Sequence, residues 1–351
     1  MAPQKDVINL GENEDIAFKY AITSYGSDFD VEGLVKRVER DDVYIPTFQR
    51  GYVWNIRQAS KFLESLLLGL PVPGIFLSVD EDNRMLVIDG QQRLRSLVDY
   101  HRGVFSPSQQ EFRLVGLKSL FNGMTYRDLR SEAKRRLGNS IIHATIIRQD
   151  EPDDGNSSIY LIFERLNTGA TQLQPQEIRV ALYHGLFADL LAELNLDAHW
   201  RSLFGPLNKR KRDQELILRF FALHYRGNSY TKPMKDFLNE FMGFNRHLEH
   251  LSATELISLF SRTVQVIDEN IGTRAFRPKR VLNAAIIDSV MIGISTNISQ
   301  DTLVTPSLLV ERYENLIVDP AYQRATETST SDEVAVKLRL DYAVDAFASA
   351  G

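Results

Sequence analysis

Residues 87–97 read VIDGQQRLRSL. Val87 and Ile88 run into Asp89-Gly90, and beyond Gln91 the residues Leu94, Leu97, Val98 and His101 recur at helical spacing. The pattern predicts a strand that turns into a helix near Gln91, with an acid, a glycine, two amides and a guanidinium at the junction. The first turn of a helix leaves backbone N–H groups unpaired and carries the positive end of the helix dipole, so anions settle there. Gly90 would remove a side chain that blocks close approach. Arg93 offers a fork of donors matched to phosphate oxygens. Gln91 and Gln92 can orient a water or read a base or sugar edge, and Asp89 can hold a magnesium ion, partly through water. The plainer reading is a hairpin ending in an Asp-Gly turn, with the polar residues facing solvent. The residues of this stretch leave the two readings level. It is not a Walker A loop, since the second glycine and the Lys-Ser/Thr pair are missing, nor is it a dinucleotide fingerprint.

Working outward, Ile75–Val79 and Met85–Asp89 read as two strands around the polar turn Asp80–Asn83. Before them, Asn55 to Gly69 reads as a helix: Asn55 and Gln58 make a capping box, and Ala59, Phe62, Leu63, Leu66 and Leu67 form one apolar stripe. Gly69 stops it and Pro71 prevents continuation. Downstream, a strand is expected at Ile141–Ile147 and a loop at Asp150–Ser158. From about Ile159 the pattern is helical, with Pro175 as the first residue of a helix. Further helices are expected at Gln214–Tyr225, Pro233–Phe244, Ala253–Ile271, Asn283–Ile294 and Asp332–Ala350. The order is thus a mixed α/β domain followed by an all-α one, with a candidate boundary around Phe204–Asn208.

At 351 residues the chain is long enough for two domains, and 43% apolar with 25% charged residues is the balance of a soluble globular protein. No apolar run is long enough to span a bilayer, and the start of the chain lacks the basic and apolar regions of a secretory signal, so a cytoplasmic protein is expected. The absence of cysteine excludes disulfides, thiolate catalysis and Cys-ligated metals. The net charge of −5 argues against blanket adhesion to nucleic acid. Basic clusters at Arg127–Arg136, at Lys209, Arg210, Lys211 and Arg212, and at Arg274–Arg280 are either solvated faces or a localised phosphate-binding surface.

Two further stretches bear on the glutamine turn. In VYIPTFQRGYVWN, residues 43–55, Phe48, Tyr52 and Trp54 crowd around Gln49 and Arg50. They read as an aromatic seal on the core or as an arginine and amide presented over aromatic surface to a base or phosphate. In FERLNTGATQLQPQEIR, residues 163–179, Asn167 and Thr168 cap and turn between two helices, and Glu177 and Arg179 read as a solvated ion pair.

Together these stretches resemble the N-terminal domain family of GmrSD-type, modification-dependent restriction enzymes. The resemblance rests on Ile45-Pro46, Phe48-Gln49-Arg50, Tyr52 and Trp54; on Gly69, Pro71 and Pro73; on Asp89-Gly90-Gln91-Gln92-Arg93; and on Phe163, Leu166-Asn167, Gly169, Glu177 and Arg179. It implies a ParB/sulfiredoxin-like α/β fold over residues 1–200, an all-α regulatory or partner-docking domain over residues 201–351, and a DGQQR loop that binds and hydrolyses a nucleoside triphosphate with magnesium. By carry-over, Asp89, Gln91, Gln92 and Arg93 are catalytic, with Asp89 on the metal. Gly90, Gln49, Arg50, Asn167 and Thr168 complete the nucleotide site. Phe48, Tyr52, Trp54 and Lys209–Arg212 are candidates for DNA or partner contact. Restriction enzymes of this group cut DNA with a His-centred nuclease domain. Of the seven histidines here, only His247 and His250 pair up, three apart on an expected helix, and no partner completes a metal site. The expected function is an NTP-binding sensor in DNA-targeting, anti-phage defence, working with a separate nuclease subunit and open to homo-oligomer formation; the alternative is a non-catalytic DNA-binding or adaptor protein.

Overall fold

A ten-residue strand, β1 (Ala21–Asp30), opens the part of the chain that the structure, a computed structural model, describes: residues 21–45, 52–80, 82–151, 160, 162, 164–165 and 174–349. Asp30 ends β1 and caps α1 (Val31–Glu39), its Oδ1 accepting the Gly33 amide at 2.7 Å. A short β2 (Val43–Tyr44) and α2 (Ile56–Leu67) follow. The predicted capping box of α2 is closed in both directions, Gln58 N to Asn55 Oδ1 and Asn55 N to Gln58 Oε1, each at 3.0 Å. Strands β3 (Ile75–Val79) and β4 (Met85–Asp89) fall where the sequence places them, and α3 (Gln91–Arg102) starts at Gln91. A small hairpin, β5 (Val104–Phe105) and β6 (Gln110–Glu111), precedes α4 (Ser131–Gly138) and β7 (Ile141–Glu151).

The sheet order is β1-β7-β3-β4-β2, with β7 parallel to β3, β2 parallel to β4, and the other two pairings antiparallel. One face of the sheet, Ile75 and Leu77, Val87, and Ile142, Ala144 and Ile146, joins the helix stripes Leu34 and Val35, Leu63 and Leu67, and Leu94 and Leu97 in one core. At about 1.5–3 kcal/mol for each large side chain fully buried, this core outweighs every polar contact at its rim. β7 runs beyond the predicted Ile147 because β1 pairs with it along its length. Neither β1 nor α1 was expected from the sequence.

From residue 174 onward the described elements are helices, beside one isolated bridge between Leu303 and Ala348. In order come α5 (Pro175–Leu182), α6 (Leu186–Leu194), α7 (Ala198–Phe204), α8 (Arg212–Arg226), α9 (Met234–Phe244), α10 (Ala253–Asn270), α11 (Ala284–Ser299), α12 (Pro306–Val318), α13 (Pro320–Glu327) and α14 (Glu333–Phe347). An α/β unit thus precedes an all-α one. Helix α11 is buried on nearly every side, against α14, α8 and α10. Its Asp288 is 1% exposed and held by Arg219 at 2.5 Å and by Arg339 at 3.2 Å.

The described residues divide into two compact units between positions 172 and 173. Residue 200, the boundary expected from the resemblance, lies inside α7, where Trp200 is fully buried among Phe204, Phe260 and Phe276. The predicted helical placement of His247 and His250 is corrected. Helix α9 ends at Phe244, Leu248 turns at φ +58°, and His250 stacks on Phe244 with ring centroids 3.9 Å apart. No helix of the described residues is long and apolar enough to cross a membrane.

Candidate functional site

The strand-to-helix corner is built by one backbone constraint. Asp89 ends β4 paired with Phe76 of β3, and Gly90 then takes φ +106°, where only glycine is unstrained. A Cβ on Gly90 would lie 2.4 Å from Cγ2 of Ile75. The space that a side chain on residue 90 would need is therefore occupied by Ile75 of the neighbouring strand. Gly90 supplies no side-chain oxygen to cap α3, and its carbonyl accepts the Leu94 amide at 3.0 Å as the first intrahelical bond.

Arg93 reaches back over this turn. Its Nη2 donates to Asp89 Oδ2 at 2.6 Å; the arginine side chain is 14% exposed and the carboxylate 53%. Arg93 Nε is buried without a hydrogen-bond partner. A half-exposed ion pair contributes about 0–1 kcal/mol, whereas an unsatisfied buried donor costs about 1–3 kcal/mol. The corner therefore holds a guanidinium with spare donor capacity, closed by one internal carboxylate.

The two glutamines part company. Gln91 is buried. Gln92 turns to the segment that enters α2, and its Oε1 accepts the Val53 amide at 2.9 Å and the Trp54 amide at 3.1 Å. One turn along α3, Ser96 Oγ lies 2.5 Å from the Tyr52 hydroxyl and donates to the Gln92 carbonyl at 2.7 Å. Burial pushes the Tyr52 hydroxyl pKa well above its ordinary value, so the group stays protonated. The rings of Tyr52 and Trp54 pack on Phe105 and Phe62, the sealing role open to them in the sequence. Ser96 was not foreseen; its place four residues after Gln92 was the available signal.

Another face of α3 lines a pocket of about 450 Å³ with Arg95, Val98, Asp99 and Arg102, closed by Glu39, Asp41, Val43 and Ile45. Burial raises the Asp99 pKa, against the pull of Ser106, whose amide donates to Oδ2 at 2.8 Å, and of Arg95. Burial likewise lowers that of Arg95. Of these, Glu39, Asp41, Asp99 and Arg102 were not singled out from the sequence.

In the helical unit, three members of the basic cluster turn inward. Arg210 bridges Glu177 at 3.0 Å, Arg212 donates to Gln174, and Lys211, at φ +57°, has its pKa lowered by burial. Lys209 is exposed. Glu177 and Arg179 are buried rather than solvated: Glu177 Oε2 accepts the Gln174 amide at 2.6 Å, and Arg179 bonds Glu215 at 2.9 Å. In the third cluster, Arg277 caps the Leu203 and Phe204 carbonyls.

Phe48, Gln49, Arg50, Asn167 and Thr168 lie outside the described residues. Among the described residues no three His, Asp or Glu side chains gather as a metal site. Among the described residues, Asp89 is the carboxylate at the corner, and Arg93 holds it.

Residues 31–184 match the family model of the GmrSD restriction endonuclease N-terminal domain, a span that contains the whole corner. No curated protein matches the sequence. The matched domain sets the chain in the context of restriction systems.

Proposed function

We propose that this chain, which carries a GmrSD-type N-terminal domain over residues 31–184, is the nucleotide-binding sensor of a DNA-targeting restriction system whose nuclease is a separate subunit. The observation that carries the reading is Arg93, a guanidinium with a buried, unpartnered Nε at an uncapped helix start, held by a single carboxylate. A triphosphate tail would replace Asp89 as its counter-charge, and the first-turn amides of α3 would take further oxygens. Magnesium would come with the phosphates and neutralise them. Nucleotide state would then bias the affinity of the domain for DNA or for its partner. Gln92 is committed to Val53 and Trp54, so binding is better supported than turnover.

The test is equilibrium binding of GTP, ATP and CTP, each with magnesium, to the full chain and to Arg93→Ala. Loss of a charge-assisted bond of about 1.5–3 kcal/mol should weaken affinity roughly 10- to 100-fold. Equal affinity for the variant, or no binding by the native chain, overturns the site. Phosphate release with and without DNA then decides hydrolysis. Under the adaptor reading, DNA is retained without nucleotide, with a salt slope set by the number of phosphates contacted.

A further inference from the structure

We propose that Gln92 is a positioning residue: its side-chain carbonyl locks the segment entering α2 onto the helical turn that carries Arg93, so that the segment and the corner change state together. This rests on the nucleotide-binding reading and departs from the water-orienting role that the glutamines suggest in the sequence. The two amides of Val53 and Trp54 arrive at Gln92 Oε1 at 2.9 and 3.1 Å and use both lone pairs of that oxygen. The attachment is doubled through Ser96, which joins the Tyr52 hydroxyl to the Gln92 carbonyl one turn along. Residues 52–54 are therefore fastened to positions i and i+4 of α3, beside and not on the Arg93 side chain. On the strand side, Val43 and Tyr44 pair with Met85 and Leu86 of β4, which leads to Asp89. Both elements that meet at the corner thus hold chain flanking the same motif.

Because Gln92 and Arg93 are consecutive, any shift of the first turn of α3 that accompanies release of Arg93 from Asp89 is felt at the Gln92 clamp. By linkage, a ligand that favours the clamped state tightens the clamp, and loss of the clamp weakens the ligand by the same factor. What the clamp requires is an acceptor. Glutamate supplies one and alanine does not. A residue that instead oriented a water beside phosphates would be harmed by glutamate, through added negative charge.

The experiment is hydrogen–deuterium exchange of peptides covering residues 52–55 in the full chain, with and without GTP and magnesium, alongside GTP affinity. Gln92→Ala should raise exchange at Val53 and Trp54 at least tenfold and weaken GTP at least fivefold. Gln92→Glu should restore most of both, and Ser96→Ala should loosen Tyr52–Trp54 in part. In the native chain GTP should slow exchange at the two amides. Unchanged exchange in Gln92→Ala overturns the clamp, and faster exchange with undiminished GTP affinity overturns the positioning role. Failure of Gln92→Glu to restore GTP affinity while exchange is restored assigns Gln92 to direct ligand contact, which also overturns it. If the native chain binds no nucleotide, the functional reading falls, while the exchange data still decide the clamp. Should Gln92→Ala misfold, Gln92→Glu and Ser96→Ala carry the test.

Discussion

At the scale of single residues, Gly90 is the position where the chain has no choice. Alanine there would hold φ +106° and place Cβ 2.4 Å from Ile75 Cγ2. The left-handed backbone costs roughly 1–2 kcal/mol and the overpacking about 1–3 kcal/mol. Gly90→Ala should therefore lower stability by about 2–5 kcal/mol, read from the denaturant midpoint. The same position shows what a sequence can disclose. That Asp89-Gly90 makes a turn and that Arg93 belongs to the first helical turn were legible, because both follow from local preference. That Gly90 makes room for Ile75, and that Gln92 serves Val53 and Trp54, were not, because those partners lie 15 and 38 or more positions away. Residue type announced a polar corner, and only tertiary contact assigned each group its task.

At the scale of elements, α3 carries a proton-sensitive ring near its end. His101 packs against Tyr126 with the rings tilted and their centroids 4.3 Å apart, and its Nδ1 lies 2.9 Å from the Leu97 carbonyl. Burial holds its pKa below the ordinary 6.5. The folded state keeps the ring neutral where the unfolded chain binds a proton, so its contribution to stability is full above about 6.5 and is lost as pH falls toward the folded pKa. Replacing it, His101→Phe, keeps a ring against Tyr126 and removes the titration. The variant should gain stability relative to the native chain between pH 7.5 and 5.5, measured by urea unfolding at both values. Elements with their own punctuation were readable: α2 from its capping box, α5 from Pro175, α11 from Asn283 and α14 from Asp332. Strand β1 was not, since the described side chains of Thr23–Asp30 are mostly exposed and no apolar alternation marks them. Helix α1 and helices α12 and α13 carry start signals as well, Asp30, Thr305-Pro306 and Asp319-Pro320.

At the scale of the whole molecule, each unit is stabilised in its own way. The α/β unit rests on an apolar core between sheet and helices, while the helical unit also buries charge. Arg219 and Arg339 share Asp288 in its interior, where a carboxylate without partners would be strongly disfavoured. Asp288→Ala leaves two guanidinium groups uncompensated and should cost about 3–5 kcal/mol, seen as loss of helical circular dichroism at lower temperature. Asp288→Asn keeps acceptor geometry without the charge and should fall between the two. The order α/β then all-α was legible from the change in apolar period; that Glu177 and Arg179, which read as surface charges, are buried in the helical unit was not. Because Asp288 answers to two arginines, the network is lopsided in what it forgives. Losing either cation leaves the carboxylate a companion, whereas losing the carboxylate orphans both. Among descendants of this chain, substitutions should thus accumulate at Arg219 and Arg339 well before any is tolerated at Asp288.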